Sequence, residues 1–345
     1  MKPATVLTSG SALLLFTLTL ALTSGVVQAQ QLAPLRFTLN WVLEASNAPF
    51  LLAQQKGYFA EEGLDVTIDA GEGSSAVITR IGSDAYDAGF GDINTMIEFN
   101  AANPENPQRM VYMIYNRPPL AVISLAKSGI NQPKDLEGKK VGAPVSDTAY
   151  RMFPLFADAA GIDADKINFD NVAPNLREPM LLRGQVDAIT GFPSSSYPNL
   201  VGMGVPPEDI VLMYYTDYGV SMYSNGLIVS EKLIKERPEA VRGLVKAVNR
   251  ALQDTIADPT APSGALLQRD RLANRDLEVG RMRFLLEHQV ITDEVRELGL
   301  GAVSPERLEA SIQTVAKSFG IENPPSAEEI FDDRFLPAAA ERQVN

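Results

Sequence analysis

The sequence predicts an α/β protein of two lobes, parallel sheets flanked by helices, with a hinged cleft between them. Three observations predict it. Short apolar strand patterns alternate with helical ones from residue 35 to residue 215, the order of parallel sheets covered on both faces. The alternation breaks at Asn116-Arg117-Pro118-Pro119, where two prolines hold the chain extended. A second series then runs to Asp217-Tyr218-Gly219, beyond which the chain is mainly helical. The expected organisation is a discontinuous lobe 1, residues 30–117 and 220–345, with lobe 2, residues 118–219, inserted into it. Two crossings between lobes make a hinge.

The elements follow in order. Leu35 to Leu39 alternates apolar and polar residues as a strand does. Asn47-Ala48-Pro49 opens a helix that stops at Gly57, with Asn as cap and Pro in the first turn. Asp65 to Asp69 is a strand, and Gly71 to Ser75 turns into a helix through Val77, Ile78 and Ile81. Tyr86 to Phe90 is a strand, Gly91-Asp92 a turn, Ile93 to Asn100 a helix and Met110 to Tyr115 a strand. In the second series, strands are expected at Leu120 to Leu125, around Val141, from Ile167, at Ala188 to Thr190 and at Ile210 to Tyr215. Helices are expected at Thr148 to Ala160 and Leu176 to Arg183. Gly226 to Val229 is a further strand. Pro238 to Asp258 carries apolar residues at helical spacing, and helices follow at about 262–273, 276–290 and 304–318.

Composition bounds the function. The 345 residues are two domains' worth, 45% hydrophobic and 21% charged, which is globular. A net charge of −13 gives no electrostatic footprint for nucleic acid. With no Cys and one His, disulfides, thiol catalysis and Cys/His zinc sites are excluded. Neither metal nor cofactor is expected. At the start, Lys2, the apolar run Ala12 to Leu22 and the small-residue site Val27-Gln28-Ala29 make the layout of an export signal, residues 1–29. The run is shorter than the about 20 residues that span a bilayer, so cleavage after Ala29 and a soluble exported product are expected.

Ligands of open parallel sheets bind beyond the carboxyl ends of strands. That rule selects Asn40, Trp41 and Asn47 in one loop, Gly73, Ser74 and Ser75 in the next, and Asp92 and Asn94 after the third strand. In the second series it selects Ser146, Asp147 and Thr148, then Gly191 and Phe192, and at the return crossing Asp217, Tyr218 and Tyr223. Trp41 either stacks on a flat ligand or closes the strand end. Gly71 to Ser75 presents backbone N–H groups at a helix start, or is an ordinary turn; it is not a phosphate loop, because no Gly-Lys-Ser/Thr follows. Asp92 is a ligand contact or a cap. Arg151 and Arg177 are the cations nearest the second series' loops, and either is a carboxylate or sulfonate clamp or else pairs with a neighbouring acid, as Glu178 allows. His288 lies in a helical run far from these loops, and Ser194-Ser195-Ser196 has no neighbouring base. No nucleophile–base pair can be assembled, and an enzyme is not expected.

Several ordered stretches carry a resemblance. They are Asn40-Trp41, Asn47-Ala48-Pro49-Phe50, Gln55-Lys56-Gly57-Tyr58-Phe59 and Glu62-Gly63-Leu64-Asp65-Val66. Asp87 to Asp92, Pro133 to Gly142 and Gly184-Gln185-Val186-Asp187-Ala188 follow in order. Over about residues 35–335 the chain resembles the substrate-binding proteins of ABC importers, in the branch of sulfonate, nitrate and thiamine-precursor (pyrimidine) binders. The resemblance implies the two-lobed periplasmic-binding-protein fold of type II. It implies a monomer in the periplasm that closes on a small-molecule ligand and hands it to ABC transporter permease subunits in the inner membrane. Asp217-Tyr218-Gly219 with Asn225-Gly226-Leu227 looks most like the pyrimidine-precursor group. The loop Val145-Ser146-Asp147-Thr148 departs from the family's Gly-Ser pair, and its carboxylate disfavours a small anion. The alternatives are an alkylsulfonate, nitrate or aromatic carboxylate binder, and a pyrimidine-precursor synthesis enzyme on the same fold. A related eukaryotic group makes that pyrimidine with a His and a Cys-rich segment; the lack of Cys here argues against it.

Overall fold

Leu64, Val66 and Ile68 are buried while Asp65, Thr67 and Asp69 are exposed, the two-residue period of a strand with one covered face. In the computed structural model, which describes residues 1–5 and 31–344, this strand belongs to the first of two five-stranded sheets. That sheet joins β1 (Ala33–Thr38), β2 (Leu64–Asp69), β3 (Ala88–Asp92), β4 (Gln108–Met113) and β10 (Asn225–Ser230) in the order β2-β1-β3-β10-β4. The second joins β5 (Ala121–Leu125), β6 (Lys140–Ala143), β7 (Asn168–Asn171), β8 (Ala188–Gly191) and β9 (Ile210–Tyr214) in the order β7-β6-β8-β5-β9. β5 and β10 are buried along their whole length, as central strands covered on both faces are.

The sheets are mixed, not parallel throughout as the alternation predicts. β1 runs parallel to β2 and β3, and β6 to β7 and β8. β10 is antiparallel to β3 and β4, and β5 to β8 and β9. The physical reason is the crossing. β5 and β10 are the strands reached directly after the chain passes from one sheet to the other, and each enters its sheet against the local direction.

Four further elements differ from expectation. Gly91-Asp92 is not a turn but the end of β3, paired with Asn225 and Gly226. The helix expected over Thr148 to Ala160 breaks at Met152 into Thr148–Arg151 and Phe153–Ala160, where Pro154 has no N–H to continue the ladder. After Gly191 and Phe192, selected as strand-end loop residues, the chain becomes helical at once at Pro193, and the helix runs to Gly202 with Ser194 to Ser196 in its first turn. The helix of residues 276–290 ends in a π turn over Leu286–Val290.

The crossings are tied together from outside. Arg307, on the helix Pro305–Phe319, donates through Nη2 to the carbonyls of Asn116 (2.7 Å) and Met222 (2.8 Å), one on each crossing. It also pairs with Glu294 at 2.7 Å. Among the described residues no helix is long and apolar enough to cross a membrane. The expected export signal, residues 1–29, lies outside the described residues beyond Ala4-Thr5.

Candidate functional site

After β1 the chain turns through Asn40 to Asn47, and Asn47 holds the turn by donating from Nδ2 to the carbonyl of Val42 at 3.0 Å. The turn buries Trp41 and Glu44. Glu44 accepts from Ser46 Oγ at 2.5 Å and from Ser195 Oγ, on the second sheet's side, at 2.8 Å. Behind it, Arg281 lies 3.4 Å from Glu44 Oε2 and pairs with Glu278 at 3.0 Å. Arg281 Nη1 donates to the carbonyls of Ser194 and Ser195. Glu278 in turn accepts from the Ala45 N–H at 2.6 Å.

The facing wall comes from the second sheet. Asp147 caps the helix Thr148–Arg151 by accepting from Ala149 N–H at 2.8 Å. Arg177 is 1% exposed. It donates from Nε and Nη2 to Glu178 Oε1 (3.0 and 2.8 Å) and from Nη2 to Ser196 Oγ (2.8 Å). It lies 3.7 Å from Asp147, and its guanidinium sits 4.9 Å from the centre of the Trp41 ring. Between the walls is a small, narrow cavity. Asn40, Trp41, Glu44, Ser46, Gly73, Ser74 and Tyr115 line it from the first sheet's side; Asp147, Thr148, Arg177, Phe192 and Ser195 line it from the second's. The Thr148 hydroxyl is buried without a protein partner, so it is free to bond a ligand.

The electrostatics are acid-rich. Four buried carboxylates, Glu44, Asp147, Glu178 and Glu278, surround two buried guanidiniums, Arg177 and Arg281. Burial pushes Glu44 and Asp147 above the usual carboxylate range, against the pull of Arg281 and Arg177 respectively. Burial also acts on Glu178, but Arg177 and Ser196 outweigh it and hold that carboxyl below its usual value.

Of the residues selected from sequence, Asn40, Trp41, Gly73, Ser74, Asp147, Thr148, Arg177 and Phe192 line the cavity. Arg177 is not the free clamp the sequence allows: Nε and Nη2 are taken by Glu178 and Ser196, and Nη1 reaches the Thr190 carbonyl at 3.4 Å. The others lie elsewhere. Asn47 braces its turn. Ser75 and Ser146 close the rim, Ser75 N–H to the Ser146 carbonyl at 3.2 Å and Ser146 Oγ to the Glu72 carbonyl at 2.5 Å. Asp92 caps the helix Ile93–Ala102 through Thr95 N–H, and burial pushes it up to about 6. Asn94 donates to the Tyr223 carbonyl at 2.7 Å. Gly191 makes room for Arg177: a Cβ there would lie 2.4 Å from Nη1. Asp217 is exposed, and the Tyr218 ring packs edge-on against Phe156 at 5.3 Å. Tyr223 is fully buried beside the second crossing, bonded to Glu294 and lying 4.1 Å under Arg307. Arg151 pairs with Glu98, and His288 packs on Phe284 at 4.4 Å.

Sequence reasoning passed over Glu44, Ser46, Tyr115 and Arg281. The available signals were a carboxylate inside a loop already selected, and Glu278 and Arg281 one helical turn apart.

Gly73 fixes how closely the walls meet. It has φ 136°, and a Cβ would lie 2.2 Å from the Ser146 carbonyl oxygen across the cleft. Gly73→Ala is expected to hold the two sides apart and raise the radius of gyration in small-angle scattering. A variant that scatters like the parent protein refutes this.

A family profile described as "NMT1/THI5 like" matches residues 44–261, more than half of the chain. The chain belongs to the NMT1/THI5-like family. Among curated relatives of this family member, one from Aspergillus parasiticus is named 4-amino-5-hydroxymethyl-2-methylpyrimidine phosphate synthase; it is 29% identical over 65% of this chain and 67% of its own length. The riboflavin-binding protein RibY of Chloroflexus aurantiacus is 26% identical over 64% of this chain and 62% of its own. The matches thus span about two thirds of these relatives. In three dimensions the alkanesulfonate-binding protein of Xanthomonas axonopodis pv. citri, bound to MOPS, superposes with a TM-score of 0.66 at 15% identity, covering 86% of this chain and 95% of that one. Sulfonate- and nitrate-binding periplasmic proteins therefore share the fold of this NMT1/THI5-like chain.

The relatives correct one expectation. Further relatives from Schizosaccharomyces pombe, Legionella pneumophila and Saccharomyces cerevisiae, 25–28% identical, carry the same synthase name, which is that of an enzyme. The missing nucleophile–base pair therefore does not exclude catalysis in this family, and the expectation of a protein that is not an enzyme does not stand.

Proposed function

We propose that this protein captures a small, flat, neutral or cationic ring compound of pyrimidine type between two lobes, residues 30–117 with 220–345 and residues 118–219, and delivers it from the periplasm to ABC transporter permease subunits in the inner membrane. The observation that carries the reading is the makeup of the cavity. Trp41, Tyr115 and Phe192 put three aromatic rings in its lining, and aromatic ring pairs contribute about 0.5–1.5 kcal/mol each. The buried carboxylates outnumber the guanidiniums, most of whose N–H groups are already engaged. A sulfonate or nitrate would meet Glu44 and Asp147 without a free cation, whereas ring N–H and amino groups find acceptors there.

The synthase names of the relatives favour a second reading, chemistry on a pyrimidine precursor held at the same walls. The two readings share the cavity and differ in the fate of the ligand.

A thermal-shift panel of 4-aminopyrimidine, riboflavin, an alkylsulfonate and nitrate tests the ring reading, because a ligand of the native state raises its melting temperature. The aminopyrimidine is expected to stabilise the protein, and Trp41→Ala to weaken that binding about tenfold. Stabilisation by the sulfonate or nitrate alone, indifferent to Trp41→Ala, overturns it. Mass spectrometry of the recovered ligand separates delivery, in which it returns unchanged, from catalysis.

A further inference from the structure

Behind the cleft wall lies a second chamber. Its walls include Phe50, Phe90, Leu252, Leu286 and Val290, and it shares Ser46 and Tyr115 with the cavity described above. The free space among these side chains is small, with room for about one group the size of a methyl. An aromatic row runs through the shared wall: Phe192 to Tyr115 at 6.3 Å, Tyr115 to Phe90 at 5.1 Å and Phe90 to Phe50 at 5.1 Å between ring centres. The π turn Leu286–Val290 borders the chamber, and such turns recur beside functional sites.

The chamber offers a polar atom little beyond the lone pairs of three hydroxyls that already donate elsewhere. Ser46 Oγ is spent on Glu44, and the Thr255 hydroxyl on the Ala251 carbonyl at 2.6 Å. The Tyr115 hydroxyl reaches the Ser46 carbonyl at 3.4 Å, long for an O–H···O bond and easily given up. A water needs two to four polar partners, so the space suits an alkyl group.

We propose that this chamber is a subsite of the cleft that takes one short alkyl branch of the bound ring, with Tyr115 and Ser46 as the partition the branch passes. The proposal rests on the ring reading above. Burying one methyl group is expected to tighten binding about fourfold.

Isothermal titration with 4-aminopyrimidine and its 2-, 5- and 6-methyl derivatives tests it. One methyl position is expected to gain about fourfold over the parent compound. Val290→Leu, which fills the chamber, should remove that gain and leave the parent compound's affinity unchanged. Val290→Ala, which enlarges it, should extend the gain to an ethyl group at the same position. If 4-aminopyrimidine binds but no methyl position gains, or if the gain survives Val290→Leu and ethyl gains nothing in Val290→Ala, the subsite is refuted and the ring reading stands. If no pyrimidine binds, the ring reading falls and the subsite with it.

Discussion

Arg281→Ala is expected to lower the unfolding free energy by about 3–5 kcal/mol, a large fraction of the about 5–15 kcal/mol a folded protein has. Arg281 is 1% exposed and faces Glu44, Glu278 and the carbonyls of Ser194 and Ser195. Its guanidinium is therefore the countercharge for two buried carboxylates and the cap of two buried carbonyls. Removing it leaves those groups desolvated and unpaired, which costs far more than the net worth of the pair. The triple variant Arg281→Met with Glu44→Gln and Glu278→Gln removes the charges together. It should recover part of the loss, because no ionised group is then stranded. Chemical denaturation of the two variants checks both statements. An Arg281→Ala protein within 1 kcal/mol of the parent would show that the cluster is dispensable.

Glu44→Gln should move stability and binding in opposite directions. Burial raises the Glu44 carboxyl above its usual value. The folded state thus holds its proton to a higher pH than the unfolded chain does. Its contribution to stability is fully present below the unfolded chain's value and is lost as pH rises through the raised one. Gln, which carries no charge to desolvate, should raise the melting temperature of the protein without ligand at neutral pH. Binding runs the other way. A ring presenting N–H donors gains from the ionised carboxylate, so its affinity should rise with pH as Glu44 and Asp147 ionise. A hydrogen bond to a charged group contributes about 1.5–3 kcal/mol. Glu44→Gln should therefore weaken aminopyrimidine binding by about ten- to hundredfold and flatten the pH profile. Unchanged affinity with a raised melting temperature would place Glu44 in the packing alone.

Much of this architecture is legible before any coordinates, and the limits are physical. The two-residue period of Leu64 to Asp69 and the proline in the first turn of the helix Ala48–Gln55 are local, so sequence reveals them, whereas Asn47, expected as that helix's cap, makes no capping bond and spends its amide on Val42. The direction in which β5 and β10 pair is not local, because a strand buried on both faces looks the same whichever way its neighbours run. The same division holds at the cleft. Trp41, Asp147 and Phe192 follow strands, and the rule about strand ends finds them. Tyr223 and Asp92 satisfy the same rule, yet their side chains are claimed by Glu294 and by Thr95. Glu44 gains its meaning from Ser195 and Arg281, far along the chain in both cases, and no pattern within a loop announces such partners.

The strand order has a consequence for how the chain is made. Everything in the second sheet lies between residues 121 and 214, so it is complete once that stretch has left the ribosome. The first sheet is not. β4 joins it only through β10, and β10 does not begin until Asn225. During synthesis β1, β2 and β3 can assemble, while β4, with Met110 to Met113, waits without a strand partner until the whole inserted segment has been translated. The later-encoded sheet is thus finished first. The nascent chain carries an unpaired apolar strand through that interval, the kind of exposed edge that chaperones shield.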